Sequence, residues 1–300
     1  MTPATRRSRL AVLTVAVAAA TILAGPAGAQ RGLDDVQVTA EHVAGSVHML
    51  TGAGGNIGVS AGDDGILIVD DQFAPLAGKI RAAIAGISAG DLEFVINTHF
   101  HGDHTGGNVV FGEEALIVAH TNVRKRLAAG DGARGQQGEP APKVALPVVT
   151  YDIGVSIHFN DEQIMIGHLE GGHTDGDSFI YFMDSNVIHL GDQFFAGRFP
   201  FVDVLSGGNA VGLRDSIGGV LDRLSEDAKV IPGHGPLSTV DDLRTYHRML
   251  TDCVATVKAG REAGKSLEDL QAAGLPGEWE GWGSGFINES VFIASIYESL

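Results

Sequence analysis

The chain has 300 residues, of which 44% are hydrophobic, and this is enough apolar material for one large, independently folding domain. Its formal net charge of −17 means that phosphate backbones repel it, which argues against a nucleic-acid substrate or partner. The single cysteine, Cys253, excludes an internal disulfide, and its position on an apolar stripe of helical spacing favours a buried structural thiol over a nucleophile.

Residues 1–29 are predicted to be an export signal that is cleaved after Ala29. Three arginines precede an uncharged apolar run, and residues 27–29 have the small-x-small form of a signal-peptidase site. The run is shorter than the roughly 20 residues that span a bilayer, so we expect no stable membrane insertion of the mature chain. Loss of three arginines and no acid would change the formal charge from −17 to −20. We expect one mature domain, residues 30–300, in the periplasm or outside the cell, exported by the general or the twin-arginine route.

Strands and helices alternate in the first half of the predicted domain. The pattern predicts strands at residues 57–61, 65–69, 94–98 and 116–119, with helices at 75–87 and 122–128. Residues 129–147 are rich in Gly and Pro and lack periodicity, so they are predicted to form a loop, and they are the best candidate for a lid.

The second half begins with strands and ends with helices. Strands are predicted at residues 153–159, 163–169, 178–183, 187–190 and 229–231, and helices around residues 213–224, around Cys253 and at the C-terminus. The last helix is expected to bury the following apolar residues: Phe286, Ile287, Val291, Ile293, Ile296 and Leu300. Two strand-rich halves, each followed by helices, indicate two sheets packed face to face with helices outside.

The segment NTHFHGDHTGGN, residues 97–108, concentrates three of the 12 histidines and an aspartate in six positions. His99 and His101 follow an apolar strand, where alternate residues project to the same side of the chain. Gly102 allows the backbone to turn and to present Asp103 and His104 toward an adjacent point. The pattern therefore predicts ligands for two neighbouring metal ions.

Three glycine-containing turns further along the chain each carry one more ligand-type side chain. His173 lies in GGHTDG, Asp192 follows the strand VIHL in the turn GD, and His234 lies in PGHGP after KVI. Turns that follow apolar strands are expected at the edge of a sheet, where functional loops gather. We therefore expect these three side chains to complete the site that residues 97–108 begin.

The ordered motifs HFHGDH, GGHTDGD, HLGD and IPGHG resemble the metallo-β-lactamase superfamily, over about residues 43–246. The resemblance implies an α/β fold, a four-layered αβ/βα sandwich with a dinuclear metal site at the edge between the sheets. It also assigns two sets of metal ligands joined by a bridging carboxylate: His99, His101 and His173 for one metal, Asp103, His104 and His234 for the other, and Asp192 between them. Imidazole and carboxylate ligands suit two Zn²⁺ per chain, with iron or manganese as alternatives.

The chemistry of such a site follows from charge. Two cations roughly 3.5 to 4 Å apart share a water and lower its pKa from about 15.7 toward 7, so that a metal-bridging hydroxide forms at neutral pH. This hydroxide attacks an electrophilic carbonyl or phosphorus, and the metals stabilise the resulting oxyanion. Asp103 is the predicted catalytic residue because it would orient the attacking water as well as bind a metal.

The expected activity is hydrolysis of a small carbonyl substrate such as a β-lactam, lactone or thioester. One large group of zinc β-lactamases has a cysteine followed three positions later by a lysine, whereas this chain has Asp192 and Phe195, so β-lactamase activity is expected to be weak. The bridging aspartate instead resembles glyoxalase II, lactonases and phosphodiesterases. A phosphodiesterase, a mononuclear iron oxidoreductase of the persulfide dioxygenase type and a non-catalytic metal carrier are the alternatives. The sequence leaves the oligomeric state open.

Several other residues are candidates for supporting or substrate-binding roles. Asp70 and Asp71 end the strand ILIVD, where they either support the metal loop or only terminate the strand. His120 and His189 are predicted to be hydrogen-bonded side chains and not ligands. Substrate contacts are expected from the loop at residues 52–58 and from no more than two of the side chains that follow Asp192: Phe194, Phe195, Arg198, Phe199 and Phe201.

Overall fold

The computed structural model describes residues 32–300, so the predicted export signal lies outside the described residues. The first half of this region forms a seven-stranded sheet whose strands lie in chain order. They are β1 (Thr39–Ala44), β2 (Val47–Thr51), β3 (Ile57–Gly62), β4 (Gly65–Val69), β5 (Leu92–Asn97), β6 (Leu116–His120) and β7 (Val149–Tyr151). β1 to β4 are antiparallel, and β4 to β7 are parallel. The carboxyl ends of these parallel strands therefore meet at one edge.

The second sheet has six strands in the order β13-β12-β11-β10-β9-β8. They are β8 (Gly154–Phe159), β9 (Glu162–His168), β10 (Ser178–Phe182), β11 (Val187–His189), β12 (Lys229–Ile231) and β13 (Ser238–Thr239). β11 and β12 are parallel, whereas the other pairs are antiparallel. The turns that follow β11 and β12 are therefore neighbours.

Within residues 32–300, eight complete α-helices lie outside the sheets or at their edges. They are α1 (Ala77–Ala85), α2 (Gly102–Thr105), α3 (Asn108–Phe111), α4 (Thr121–Ala129), α5 (Ala210–Leu221), α6 (Val240–Glu262), α7 (Leu267–Ala273) and α8 (Glu289–Ser299). The longest, α6, begins with a capping box in which the side chains of Thr239 and Asp242 each bond the backbone N–H of the other residue. No helix within residues 32–300 is both long and apolar enough to cross a bilayer.

Three apolar layers hold these elements together. The middle layer joins the two sheets, with residues such as Val69 and Ile96 from the first and Ile164 and Ile180 from the second. One outer layer packs α1 on the first sheet, and the other packs α5, α6 and α8 on the second. Each buried side chain of this size contributes about 1.5–3 kcal/mol. The predicted four-layered αβ/βα sandwich is thus confirmed.

The prediction for the last helix was partly wrong. Phe286, Val291 and Leu300 are 75%, 41% and 38% exposed. The helix begins only at Glu289, so Phe286 lies in the preceding loop, and the face that packs inward carries Phe292 in place of Val291. The sequence analysis did not predict seven elements, β1, β2, β7, β13, α2, α3 and α7, whereas Cys253 is buried as expected.

Candidate metal centre

All seven side chains predicted as metal ligands meet at one end of the two sheets, where they form two clusters. Four lie in and just before α2, in the segment that follows β5 of the first sheet. The other three lie in turns of the second sheet: His173 between β9 and β10, Asp192 after β11 and His234 after β12. Within each cluster the possible ligand atoms lie within 4.8 Å of one another. The fold therefore brings together residues that are 135 positions apart in the sequence.

The tri-histidine group, His99, His101 and His173, is almost completely buried. His173 Nδ1 donates to the carbonyl oxygen of Phe201 at 2.6 Å, and His101 Nε2 donates to Asp203 Oδ2 at 2.9 Å. The remaining nitrogens, His173 Nε2 and His101 Nδ1, face each other at 2.9 Å. Two nitrogen lone pairs at this distance repel unless a proton or a metal cation lies between them.

The mixed group, Asp103, His104 and His234, lies beside the tri-histidine group and is more open to solvent. His104 is fully buried and its Nδ1 donates to Asp70 Oδ2 at 2.7 Å, which turns its Nε2 toward His234 Nε2 at 3.4 Å. Asp103 Oδ2 is 3.4 Å from His234 Nε2 and 3.6 Å from His104 Nε2. The side chains of Asp103 and His234 are 30% and 23% exposed, so solvent reaches this group.

The carboxylate of Asp192 faces both groups. Its Oδ1 lies 3.1 Å from His104 Nε2 and 3.2 Å from His234 Nε2. Its Oδ2 lies 3.4 Å from His173 Nε2 and 3.9 Å from His99 Nε2. One oxygen is therefore available to each group, as a bridging ligand requires.

Burial and neighbouring charges separate the pKa values of the two groups. Burial lowers the pKa of His99 well below its ordinary range and lowers the pKa of His173 to about 4. In the mixed group burial also disfavours charge, but nearby carboxylates, Asp192 first, outweigh it. They raise the pKa of His104 well above its ordinary value and that of His234 to about 9. His99 and His173 thus offer neutral imidazoles, whereas His104 and His234 in the mixed group carry positive charge.

Unpartnered atoms indicate that the site fits a divalent cation. Among the described residues, His99 Nε2 and Asp192 Oδ1 are buried and have no hydrogen-bond partner. Such atoms are costly to bury unless a ligand or ion satisfies them. The donor set of imidazole nitrogens and carboxylate oxygens is the one that Zn²⁺ and related metals prefer.

Glycines allow the loops to approach the ligands closely. A Cβ on Gly55 would overlap the imidazole of His104, and a Cβ on Gly233 would overlap Asp192 Oδ1. Gln72 Nε2 donates to the carbonyl oxygen of Gly55 at 2.7 Å and holds that loop in place. The loop at residues 52–58 therefore lies directly against the metal ligands.

Two carboxylates support the ligands from outside. Asp70 accepts hydrogen bonds from the backbone N–H and the hydroxyl of Thr98, each at 2.8 Å, as well as from His104. Asp203, which is 1% exposed, supports His101 in the same way and was missed in the sequence analysis. Its only sequence signal is an acid inside the apolar run FPFVDV, where burial without a partner would be costly.

The remaining predicted histidines lie outside the site. His189 Nε2 donates to the carbonyl oxygen of Asn56 at 3.1 Å, and its Nδ1 accepts from the N–H of Gly191, which fixes the turn before Asp192. His120 caps α4 by accepting from a backbone N–H, and its ring stacks on His168 with centroids 3.9 Å apart.

A cavity of about 650 Å³ opens onto the ligands Asp103, Asp192 and His234. Its walls include Phe195, Phe199, Phe201 and Phe286, together with Arg134 and Arg198. Phe194, by contrast, is fully buried in the core behind it. Part of the predicted loop at residues 129–147 lines one side, so that loop borders the candidate site.

Sequence comparisons agree with this architecture. The family model described as metallo-beta-lactamase superfamily matches residues 50–234. An uncharacterized protein of Aquifex aeolicus (strain VF5) is 30% identical over 158 residues, which are 51% of this chain and 72% of that protein. A hydroxyacylglutathione hydrolase of Polaromonas sp. (strain JS666 / ATCC BAA-500) is 29% identical over 163 residues, 53% of this chain and 55% of that protein.

Solved structures share the fold at low identity. The sec-alkylsulfatase Pisa1 from Pseudomonas sp. aligns with a TM-score of 0.66 at 17% identity over 87% of this chain and 50% of its own. The DIM-1 metallo-beta-lactamase aligns with a TM-score of 0.59 at 18% identity over 72% of this chain and 99% of its own. This chain thus spans about half the length of the hydrolase and alkylsulfatase relatives. With a family match over more than half of its length, the chain belongs to the metallo-β-lactamase superfamily.

Proposed function

We propose that this chain is an exported hydrolase with two metal ions, taken to be Zn²⁺, that acts on a small carbonyl substrate such as a lactone, a thioester or a β-lactam. The observation that carries the proposal is the carboxylate of Asp192, which presents one oxygen to each of two ligand groups. Export rests on the composition of residues 1–29 alone.

Each group has enough ligands for one metal. The tri-histidine group would hold one cation, the mixed group would hold the other, and Asp192 would join them. When bound, a pair of divalent cations supplies Lewis acidity, which lowers the pKa of water and stabilises an oxyanion. A site for a single iron, as in the oxidoreductase alternative, would leave the mixed group without a role.

Asp103 is the residue that we expect to orient the attacking water. Burial raises the pKa of its carboxyl group, but His104 and His234 more than compensate, so the pKa lies below its ordinary value. The carboxylate is therefore ionised at neutral pH. Because it lines the cavity and is 30% exposed, Asp103 Oδ2 can accept a hydrogen bond from a water beside the carbonyl carbon.

Two considerations favour a thioester or lactone over a β-lactam. The position three residues after Asp192, where one large group of zinc β-lactamases has a lysine that binds the drug carboxylate, holds Phe195, so this chain lacks the positive charge that those enzymes place beside the bridging position. The relative from Polaromonas is, by its name, a hydroxyacylglutathione hydrolase, that is, a thioesterase. β-Lactamase activity is therefore expected to be weak.

Metal quantification combined with a substrate panel tests the proposal. Purified chain should contain about two zinc ions and should hydrolyse an acyl thioester or lactone faster than nitrocefin, imipenem or bis-nitrophenyl phosphate. Chelation should abolish the activity, and zinc should restore it. One iron per chain with oxygen consumption on a persulfide would contradict the proposal, as would retained metal without hydrolysis of any panel member.

A further inference from the structure

The cavity beside the metal ligands has an unusual lining for an acidic protein. Most of its large side chains are phenylalanines, and among residues 32–300 the only lysine or arginine side chains that line it are Arg134 and Arg198. The chain as a whole has a formal charge of −17, and two of its carboxylates, Asp103 and Asp192, share this cavity. Long-range attraction would therefore not draw an anion here, so any preference for anions must come from local contacts.

Arg134 is positioned by aromatic rings. Its guanidinium carbon lies 5.0 Å from the ring centroid of Phe201 and 5.1 Å from that of Phe286, above each ring. Contact with ring faces holds the planar group by cation–π attraction and leaves the N–H groups at its edge free. Among residues 32–300, no carboxylate oxygen lies within salt-bridge distance of it, whereas the nearby Arg126 bonds Asp175 through two nitrogens.

The backbone of Arg134 is fixed to the metal centre. Its N–H donates to Asp203 Oδ2 at 2.9 Å, and the same oxygen accepts from the metal-ligand candidate His101. Arg134 adopts φ +60°, a left-handed conformation that non-glycine residues rarely adopt. Phe201, under the guanidinium, also stacks on His101, with centroids 5.7 Å apart. Arg134 is therefore held in a defined position at the wall of the cavity.

We propose that the cavity selects an amphiphilic organic anion, with Arg134 as a specificity-determining residue. The apolar acyl or aryl body of the substrate packs among the phenylalanines, and its carboxylate or sulfonate pairs with the free edge of the Arg134 guanidinium. The cavity volume of about 650 Å³ suits a molecule of that size. This inference rests on the proposed function for the reaction itself. In that reaction water forms the new carbon–oxygen bond, the carbon–sulfur or carbon–oxygen bond of the ester breaks, and the leaving thiol or alcohol takes the proton.

Binding of a matched pair of ligands tests the inference without turnover. Calorimetry would compare 4-phenylbutyrate with the uncharged 4-phenylbutanamide on the zinc-loaded and the chelated full chain. We expect wild type to prefer the anion by about tenfold or more, the Arg134→Met variant to lose most of this preference, and Arg134→Lys to keep part of it. Arg223→Met, which removes an exposed arginine remote from the cavity lining, should behave as wild type. The inference would be overturned if Arg134→Met kept the full preference for the anion. It would also be overturned if the preference of wild type disappeared on chelation, because the metals would then hold the anion.

Hydrolysis separates this inference from the proposed function. Mono-4-nitrophenyl esters of dicarboxylic acids, from succinate to suberate, would be compared with their neutral methyl diesters. The ratio of kcat/KM for anionic to neutral ester should fall about tenfold or more in Arg134→Met, mainly through KM. Phe286→Ala removes one of the two rings that contact the Arg134 guanidinium, so it should lower the same ratio. Because the Phe286 ring is 75% exposed, this substitution should not disturb folding. If the ratio stays constant while both esters are cleaved, the inference is wrong and the proposed function stands. If wild type cleaves neither ester, the proposed function fails and the binding comparison still decides the role of Arg134.

Discussion

The tri-histidine group and the mixed group lie side by side and differ in burial and charge. The first is buried, and hydrogen bonds to Asp203 and to a backbone carbonyl orient two of its imidazoles. Burial keeps His99 and His173 neutral. The second is partly exposed, and carboxylates keep its histidines protonated. A metal would enter the first group without displacing protons from His99 or His173, whereas protons would have to leave the second. On the proposed function, we therefore expect the tri-histidine group to hold its cation more firmly than the mixed group.

The two groups also depend differently on the sheets. Each draws side chains from both sheets, so each would tie the two sheets together when a cation binds. Only the mixed group borders the cavity with two of its members, Asp103 and His234, while the tri-histidine group exposes only His101 there. Chemistry on substrate is therefore expected at the mixed group, and firm anchoring at the tri-histidine group.

Removing the shared carboxylate should have the largest effect, because it acts on both groups at once. Asp192→Asn leaves an amide that cannot bridge two cations, so we expect kcat/KM to fall by roughly 1,000-fold or more and the metal content to fall below two per chain. Metal analysis and steady-state kinetics on the best panel substrate would measure both. Asp152→Asn, at an exposed position, is the matched control. Retention of both metals at full activity in Asp192→Asn would refute the bridging role.

The supporting carboxylates should act on one group each. Asp203→Asn removes the carboxylate that orients His101, and Asp70→Asn removes the carboxylate that orients His104. Changes of this kind lower metal affinity or activity by about 10- to 100-fold. Competition with a chromogenic chelator would show the weaker metal at the tri-histidine group in the first variant and at the mixed group in the second. Asp70→Asn should also lower the melting temperature, because Asp70 accepts two hydrogen bonds from Thr98. Equal weakening of both metals in both variants would show that the groups are not independent.

Asp70 and Asp203 show which parts of the site could be predicted from the sequence and which could not. The clustering of the candidate ligands could be predicted because each follows an apolar strand in a glycine-containing turn, and the order of the motifs predicted the fold. Asp70 was recognisable only as an acid at the end of a strand, with two interpretations open. Asp203 could not be assigned, because its partner His101 is 102 residues away and only tertiary packing brings them together.

The same limit applies to the cavity. The sequence placed aromatic residues after Asp192, but Phe194 packs in the core while Phe195 lines the cavity, a distinction that depends on local backbone geometry. Phe286 was expected in the core and instead lies at the mouth, beside Arg134 from a loop 152 positions earlier. Contacts between irregular segments leave no periodic signal, so pattern analysis does not detect them.

The two groups should lose their metals to a chelator at different rates. Asp103 and His234 are partly exposed, whereas the tri-histidine ligands are buried. A chelator should therefore remove the metal of the mixed group about tenfold or more faster than the metal of the tri-histidine group. Stopped-flow absorbance with 4-(2-pyridylazo)resorcinol would resolve the two phases, and activity should disappear with the fast one. Arg223→Met again serves as the control for surface mutation. A single phase accounting for both metals would contradict the difference in accessibility.

The smallest and most specific difference between the groups should appear in proton release. The pKa of His234 is raised to about 9, so near pH 7 it carries a proton that must leave before its Nε2 can bind a metal. The pKa of His173 is lowered to about 4, so it carries none at that pH. Metal affinity at the mixed group should therefore rise with pH up to about 9, by about tenfold per pH unit for each proton displaced.

Calorimetric titration in buffers of different ionisation enthalpy counts these protons for each metal equivalent. We expect binding of the weaker metal equivalent to release at least one proton near pH 7. Binding of the tighter metal equivalent should release fewer protons. His234→Asn removes one candidate ligand of the mixed group and the proton that it holds. The number of metal ions bound should therefore fall toward one per chain, and few protons should be released. If instead both equivalents released the same number of protons across pH 6 to 8, the carboxylates around His234 would not hold it protonated. The contrast between a neutral and a charged ligand group would then be wrong, although the bridging position of Asp192 would still stand.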